Sequence, residues 1–231
     1  MSGHVLDRFF QLDELETFET DRRLQPVTMP VVMERKSRYM LHFETAALPA
    51  RGGLSPSLEL KKIEREKRFG KRKSGSRRAV KQCVEVLAEH RAPNACLVIQ
   101  TDLKATYPGI LADVFAPGTF VHSTTSSKKK RDTKNPLFAI NHTFAMLRDG
   151  ISRVVRRTWG NAKLRQRLEL HAWIYLAWRN YVRGVTNKRS KVTPAMAIGV
   201  EREQWTKRDL LRWSARFPLL LSIQQAGPVS R

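Results

Sequence analysis

A mixed α/β fold, with a sheet that starts antiparallel and continues parallel, is what the sequence predicts, and three observations carry it. Three β-rich stretches, at 9–19, 27–35 and 37–48, follow one another closely enough for an antiparallel meander. From residue 78 the pattern becomes helices alternating with short apolar runs, which is how parallel strands and their crossovers read. The chain has 231 residues and is 41% hydrophobic, enough to bury one large core.

The first stretch, "FFQLDELETFE", carries apolar residues on both parities, which suits a central strand covered on both faces. The second, "VTMPVVMER", contains Pro30, which cannot donate to a ladder and so predicts an edge or a bulge. The third is "SRYMLHFETAAL". Residues 49–78 break the pattern with Gly, Pro and Ser around a run of Lys and Arg, and form a basic insertion. It reads either as a solvated, mobile loop or as an arm that contacts phosphates.

A helix with Val80, Val84 and Leu87 on one side follows, then the strand "ACLVIQTD" at 95–102. Next come a helix with Tyr107, Leu111 and Phe115, the strand "TFVHST" at 119–124, and the basic hinge "SSKKKRDTKNP" at 126–136. The helical segment 135–159 sets Ile140, Phe144, Leu147, Ile151 and Val154 on one stripe, with Asn141 and Arg148 off it. In residues 164–184 the run "AWIYLAW" is apolar nearly all round and predicts a buried helix, with His171 a packed core histidine rather than a ligand. The segment 193–221 reads as a turn and a last helix, and no internal repeat is present. The order β-β-β-α-β-α-β-α is that of an RNase H-like fold. The predicted division is a core over 1–160 and a helical C-terminal extension over 161–231 packed on it.

Charge points to the partner. Lys and Arg number 43 against 21 Asp and Glu, a formal net charge of +22, with an isoelectric point near 10.8. Such an excess calls for a polyanion, and nucleic acid is the default. No stretch approaches the roughly 18 apolar residues of a spanning helix, and the N-terminal segment lacks the pattern of a signal peptide. A cytoplasmic protein is expected. Cys83 and Cys96 are too few for a disulfide framework or a cysteine-rich zinc site and read as ordinary thiols.

Metal-dependent phosphoryl transfer uses two divalent cations about 4 Å apart and needs oxygen ligands converging from separate elements. Asp13 lies within the first strand, and Asp102 ends the run "CLVIQTD", where open α/β sheets place their ligands. Each has a plainer alternative. An aspartate between strand and helix is a good N-cap, and Asp13 stands among Asp7, Glu14, Glu16 and Glu19, all of which could be solvated. Asn141 and Arg148 are seven residues apart, nearly two helical turns, and so share one line of their helix.

The blocks "QLDELETFE", "QTDLKATYP", "LFAINHTFAMLRDGISRVVRRTW" and "TPAMAIG" resemble, in order, those of bacterial insertion-sequence transposases with a DDE-type catalytic domain. The resemblance implies that Asp13 and Asp102 are the first and second catalytic carboxylates. The third position, usually glutamate, falls on Asn141, and the basic residue that often follows it falls on Arg148, where a guanidinium would grip a phosphate. It further implies two Mg²⁺ or Mn²⁺ ions held by Asp13, Asp102 and Asn141. The activity implied is cleavage and strand transfer of DNA, with the element's terminal repeats and target DNA as partners and a homodimer or higher synaptic complex as the working form. An amide oxygen can ligate Mg²⁺ but brings no negative charge and cannot act as a base.

Such transposases usually begin with a DNA-reading module, and only twelve residues precede Asp13. Either the chain is a truncated or frame-split product, with DNA binding on a separate N-terminal polypeptide or frame, or the 49–78 arm and the basic C-terminal helices do the binding. Expected phosphate contacts are Lys61, Lys62, Lys71, Arg72, Lys73, Arg77 and Arg78 in the insertion, and Lys128, Lys129, Lys130 and Arg131 in the hinge. A catalytically decayed DNA-binding relative is the alternative. A basic RNA-binding protein is the second, but it has no need of aspartates on two strands, and the tryptophans sit mainly in apolar helical contexts rather than in stacking clusters.

Overall fold

The computed structural model describes residues 9–155, 159–186 and 191–214. Its sheet is built from β1 (Phe9–Phe18), β2 (Pro26–Glu34), β3 (Met40–Phe43), β4 (Ala46–Ala47), β5 (Leu97–Asp102) and β6 (Phe120–Thr125). The order is β3-β2-β1-β5-β6, with β4 beside β2. β1, β2 and β3 pair antiparallel, whereas β5 runs parallel to both β1 and β6. This is the RNase H-like arrangement, with β1 at its centre.

Helices cover both faces. On one, Phe10 and Leu12 of β1 and Leu97 and Ile99 of β5 meet the apolar side of α2 (Ser76–Glu89) and α3 (Tyr107–Val114). On the other, Leu15, Met29, Val31 and Met33 meet α4 (Phe138–Gly150) and α5 (Arg165–Ala177). Since side chains alternate along a strand, Gln11 and Asp13 face α4, while Glu14 faces α2 and α3. Coverage on both sides explains why all nine residues of β2 are buried.

Pro30 is neither at an edge nor at a bulge. It lies inside β2 opposite Glu14, and its carbonyl accepts from Glu44 N at 3.2 Å, between the end of β3 and the start of β4. Its missing N–H therefore falls where the third stretch is interrupted, and 37–48 is accordingly two short strands rather than one. The irregularity in register lies further on, between Val32 and Met33.

The basic insertion is not a loop throughout. Residues Pro56–Phe69 form α1, started by Pro56 and ended by Gly70 at φ 76°, and none of its residues is buried. The stripe of 135–159 is buried as a set, but α4 stops at Gly150, and Val154 sits in a 3₁₀ turn, Ser152–Val154. A Cβ on Gly150 would lie 2.5 Å from the Tyr175 ring, so a bare backbone lets α5 pack against the end of α4.

α5 is less buried than its composition predicts. Ala172, Tyr175 and Leu176 enter the core, but Ile174 is 64% exposed, and His171 is half-buried. The extension is tied on by hydrogen bonds between Met40 and the Asn180 side chain and by Arg165 N donating to Glu19 Oε1 at 2.8 Å. Two short helices follow, α6 (Pro194–Ala197) and α7 (Lys207–Ser214), and the rest of the predicted last helix lies outside the described residues. No helix among the described residues is long and apolar enough to cross a membrane.

Candidate active site

The β1–β5 ladder runs from Phe9↔Val98 to Gln11↔Gln100 and stops two residues short of both aspartates. Continued in the same register, Asp13 falls opposite Asp102, on the face that looks toward α4. The shared face is marked by the preceding pair, since Gln11 Nε2 donates to Gln100 Oε1 at 3.0 Å. Where the ladder ends the strands are free to part, and a cleft of about 860 Å³ opens there, lined by Asp13, Asp102, Asn141 and Arg148 among others.

Gln11 decides where α4 sits. This fully buried amide also donates to Pro136 O at 2.6 Å and accepts from Ile140 N at 2.8 Å. α4 has no side-chain cap of its own at Leu137, so Gln11 satisfies a first-turn N–H from across the sheet. The helix start is thereby fixed beside Asp13. Gln11→Leu strands the Ile140 N–H and the Pro136 carbonyl, and is expected to destabilise the fold by about 2–3 kcal/mol in urea unfolding; a change below about 0.5 kcal/mol would show that α4 docks by apolar contact alone.

From that start, Phe138, Asn141, His142, Ala145 and Arg148 form the wall of the cleft, one face of α4 at helical spacing. Asn141 Nδ2 donates to Leu137 O at 2.9 Å. A carbonyl can only accept, so Oδ1 is the amide atom available to a ligand. Ser126, Ser127, Lys129 and Arg131 of the hinge also line the cleft.

Burial, more than anything else, raises the Asp13 carboxyl to about 6. The Glu14 N–H, donating at 2.7 Å, works against it; the Asp102 and Glu14 charges add to the rise, and Arg131 offsets part of it. Because the folded value lies above the ordinary 3.8, the native state binds this proton more tightly than the unfolded chain does. The resulting stabilisation is complete below about pH 4 and disappears as pH rises through about 6. Asp13→Asn should therefore raise thermal stability at pH 8, by up to roughly 3 kcal/mol, and change little at pH 4; thermal unfolding at the two pH values checks this, and equal effects at both would refute it.

Asp102 Oδ1 accepts from Lys104 N at 3.0 Å, bracing the loop after β5. It does not cap α3, whose N-cap residue is Thr106. The acidic neighbours of Asp13 are not simply solvated. Glu14 accepts from Thr28 Oγ1 at 2.7 Å, Ser76 Oγ at 2.8 Å, Tyr107 OH at 3.3 Å and the Lys104 ammonium, on the far side of the sheet. Glu19 is buried and paired with Arg72, and Glu16 is exposed and paired with Arg51. Asp7 lies outside the described residues.

The cationic positions divide. Lys129 and Arg131 line the cleft, whereas Lys128 and Lys130 do not. In the insertion, Arg72 turns inward, donating to Glu19 Oε2 at 2.6 Å, Leu48 O at 2.9 Å and Pro26 O at 3.1 Å. It braces the insertion rather than facing a phosphate. Lys62 pairs with Glu59 and Arg77 with Asp113, while Lys61, Lys71, Lys73 and Arg78 are exposed. Trp159 departs from the core role expected of the tryptophans, being 98% exposed.

Gln11, Gln100 and Lys104 escape a search for charged motifs because they act by orienting others. Parity alone could have marked Gln11, a polar residue on the Asp13 face of a strand otherwise rich in apolar ones. Among the described residues no group of three or more His, Cys, Asp or Glu is placed to hold a metal. The carboxylates lining the cleft are those of Asp13, Glu14, Glu16 and Asp102, of which Glu14 and Glu16 are engaged by Lys104 and Arg51, and Asn141 adds an amide oxygen.

No protein-family model matches the chain, and no curated protein sequence matches it. Among solved structures it is similar to the crystal structure of the catalytic domain of Mos1 mariner transposase, at 11% identity and a TM-score of 0.37, over 72% of this chain and 69% of that one.

Proposed function

We propose that this chain is a transposase catalytic domain that cleaves DNA strands and transfers them in a metal-dependent reaction. The observation that supports it is the juxtaposition of Asp13 and Asp102 on adjacent parallel strands of an RNase H-like sheet, facing a cleft whose other walls bear Asn141 and the cations Lys129, Arg131 and Arg148.

The donor set fits hard divalent cations. Asp13, Asp102 and Asn141 Oδ1 are all oxygen ligands suited to Mg²⁺ or Mn²⁺, and a partly buried carboxylate raised chiefly by desolvation, with a neighbouring carboxylate adding to the rise, is one that a cation would relieve. Such ions supply an activated water and neutralise charge that develops on the phosphate. The chain's own part is to aim ligands and hold the DNA. Gln11 sets α4, Lys104 sets the loop after Asp102, and Arg148 with the hinge cations faces the phosphates across the cleft. The exposed basic side chains of α1 and its flanks add sequence-independent DNA affinity. Synapsis by a homodimer or higher complex belongs to the same reading.

One residue favours a second reading. An amide at 141 removes a negative charge from the ligand set, as in a transposase-derived protein that binds DNA without cutting it. Incubation with supercoiled plasmid and with the gene's own flanking DNA, in Mg²⁺ or Mn²⁺, separates the two. Nicks and joined products that vanish in EDTA are expected; binding without any nick in either metal would leave the second reading.

A further inference from the structure

A smaller cleft of about 390 Å³ adjoins the first, sharing Asn135 and Phe138 with it. Its character is different. Phe9, Arg35, Lys36, Arg38 and Phe138 dominate it, and no carboxylate is among its lining residues.

All three cations come from the turn between β2 and β3, which is braced by a buried carboxylate. Glu34, 1% exposed, accepts from Lys36 N at 2.8 Å and from Ser37 N at 2.6 Å. The same turn holds Arg38 at φ 60°, a left-handed conformation that side chains other than glycine rarely adopt. That backbone sets the Arg38 guanidinium 5.8 Å from the Phe138 ring centre, while Arg35 and Lys36 each lie 6.0 Å from that of Phe9. Arg38 Nη1 also donates to His142 Nδ1 at 2.7 Å, and His142 lines the larger cleft. The two clefts are therefore linked by a side-chain contact as well as by shared walls.

Cations interleaved with aromatic rings form the combination that binds unpaired nucleotides: charge tracks the backbone and rings accept bases of any kind. We infer that this groove takes a short single-stranded stretch of DNA next to the strand held in the candidate active site, with Arg35, Lys36 and Arg38 on its phosphates and Phe9 and Phe138 against its bases. The inference rests on the DNA-cleaving reading of the larger cleft for the occupant, and on the smaller cleft's own residues for the preference for unpaired DNA.

The test is fluorescence anisotropy with the full chain, in EDTA, on a labelled oligothymidine strand and on a labelled hairpin duplex. The groove variant Arg35→Ala/Lys36→Ala/Arg38→Gly removes three charges and puts glycine where φ is positive, so its fold should survive. The charge-matched control is Lys207→Ala/Arg208→Ala/Arg212→Ala on α7. The groove variant should lose about 30-fold on the strand, the control only about threefold, and the two should lose equally on the duplex. Phe138→Leu should cost about tenfold on the strand alone. Equal losses of strand affinity by both triple variants, or a Phe138→Leu loss shared by strand and duplex, would overturn the groove as a single-strand site. Because metal is absent, a parent that never nicks DNA leaves the binding result standing; a parent that nicks, with a groove variant that binds the strand as the parent does, overturns the groove alone.

Discussion

Asp102→Asn is expected to lower metal-dependent nicking by about a thousandfold or more, corresponding to roughly 4 kcal/mol of barrier. The fold should be unaffected. Asp102 braces its loop by accepting from Lys104 N, and the asparagine Oδ1 can accept that same hydrogen bond. What disappears is one of the two negative charges that face each other beyond the β1–β5 ladder. Asp13→Asn should lose as much activity while gaining stability above about pH 6, since it removes a partly buried carboxylate raised chiefly by desolvation. Loss of cutting joined to a gain in stability is the behaviour of a residue placed for a ligand and not for the fold. If Asp102→Asn nicks DNA at the parent's rate in both Mg²⁺ and Mn²⁺, Asp102 serves only its loop, and the proposed chemistry fails.

Asn141→Glu is expected to shift half-maximal activity to Mg²⁺ concentrations about tenfold lower, and Asn141→Ala to cost at least about a hundredfold at any attainable concentration. Between two carboxylates and an amide, a pair of divalent cations keeps more uncompensated positive charge than between three carboxylates, so its affinity is lower. Glutamate restores the missing charge from the same helix face. Alanine removes the oxygen that the Asn141 Nδ2 bond to Leu137 O leaves available. A metal titration of strand nicking for parent and variants measures both. If Asn141→Ala matches the parent throughout, Asn141 is a polar residue on the wall and no ligand. If the parent is inert and only Asn141→Glu cuts, the chain is a decayed enzyme that retains DNA binding.

Local pattern determined a good part of this protein. Apolar residues on both parities of "FFQLDELETFE" require cover on both faces, and β1 is the central strand. The stripe from Ile140 to Val154 is buried as a set, because helical periodicity reports the buried face whatever it packs against. The excess of Lys and Arg needs no structure to call for a polyanion. Asp13 and Asp102 stand out only as a pair in the predicted topology, since each alone has a plainer reading, as a solvated acid or a helix N-cap.

What depends on contacts between distant segments was decided only by the tertiary structure. Pro30 predicts an edge or a bulge, but β2 lies inside the sheet, and the missing donor falls where β3 parts from β4. Ile174 has the composition of a core residue, yet among the described residues it is 64% exposed. Arg72 looks like its basic neighbours in the insertion, but Glu19, far away in sequence, turns it inward. Glu14 and Asp13 are adjacent and chemically alike, and strand alternation sends one into a hydrogen-bonded cluster with Thr28 and Ser76 and turns the other toward α4. Gln11 meets α4, and Arg38 meets His142, across more than a hundred residues of chain. Periodicity records which face of an element is buried; the partner that meets a given side chain is set by how the elements pack, and a one-dimensional pattern carries no information about that.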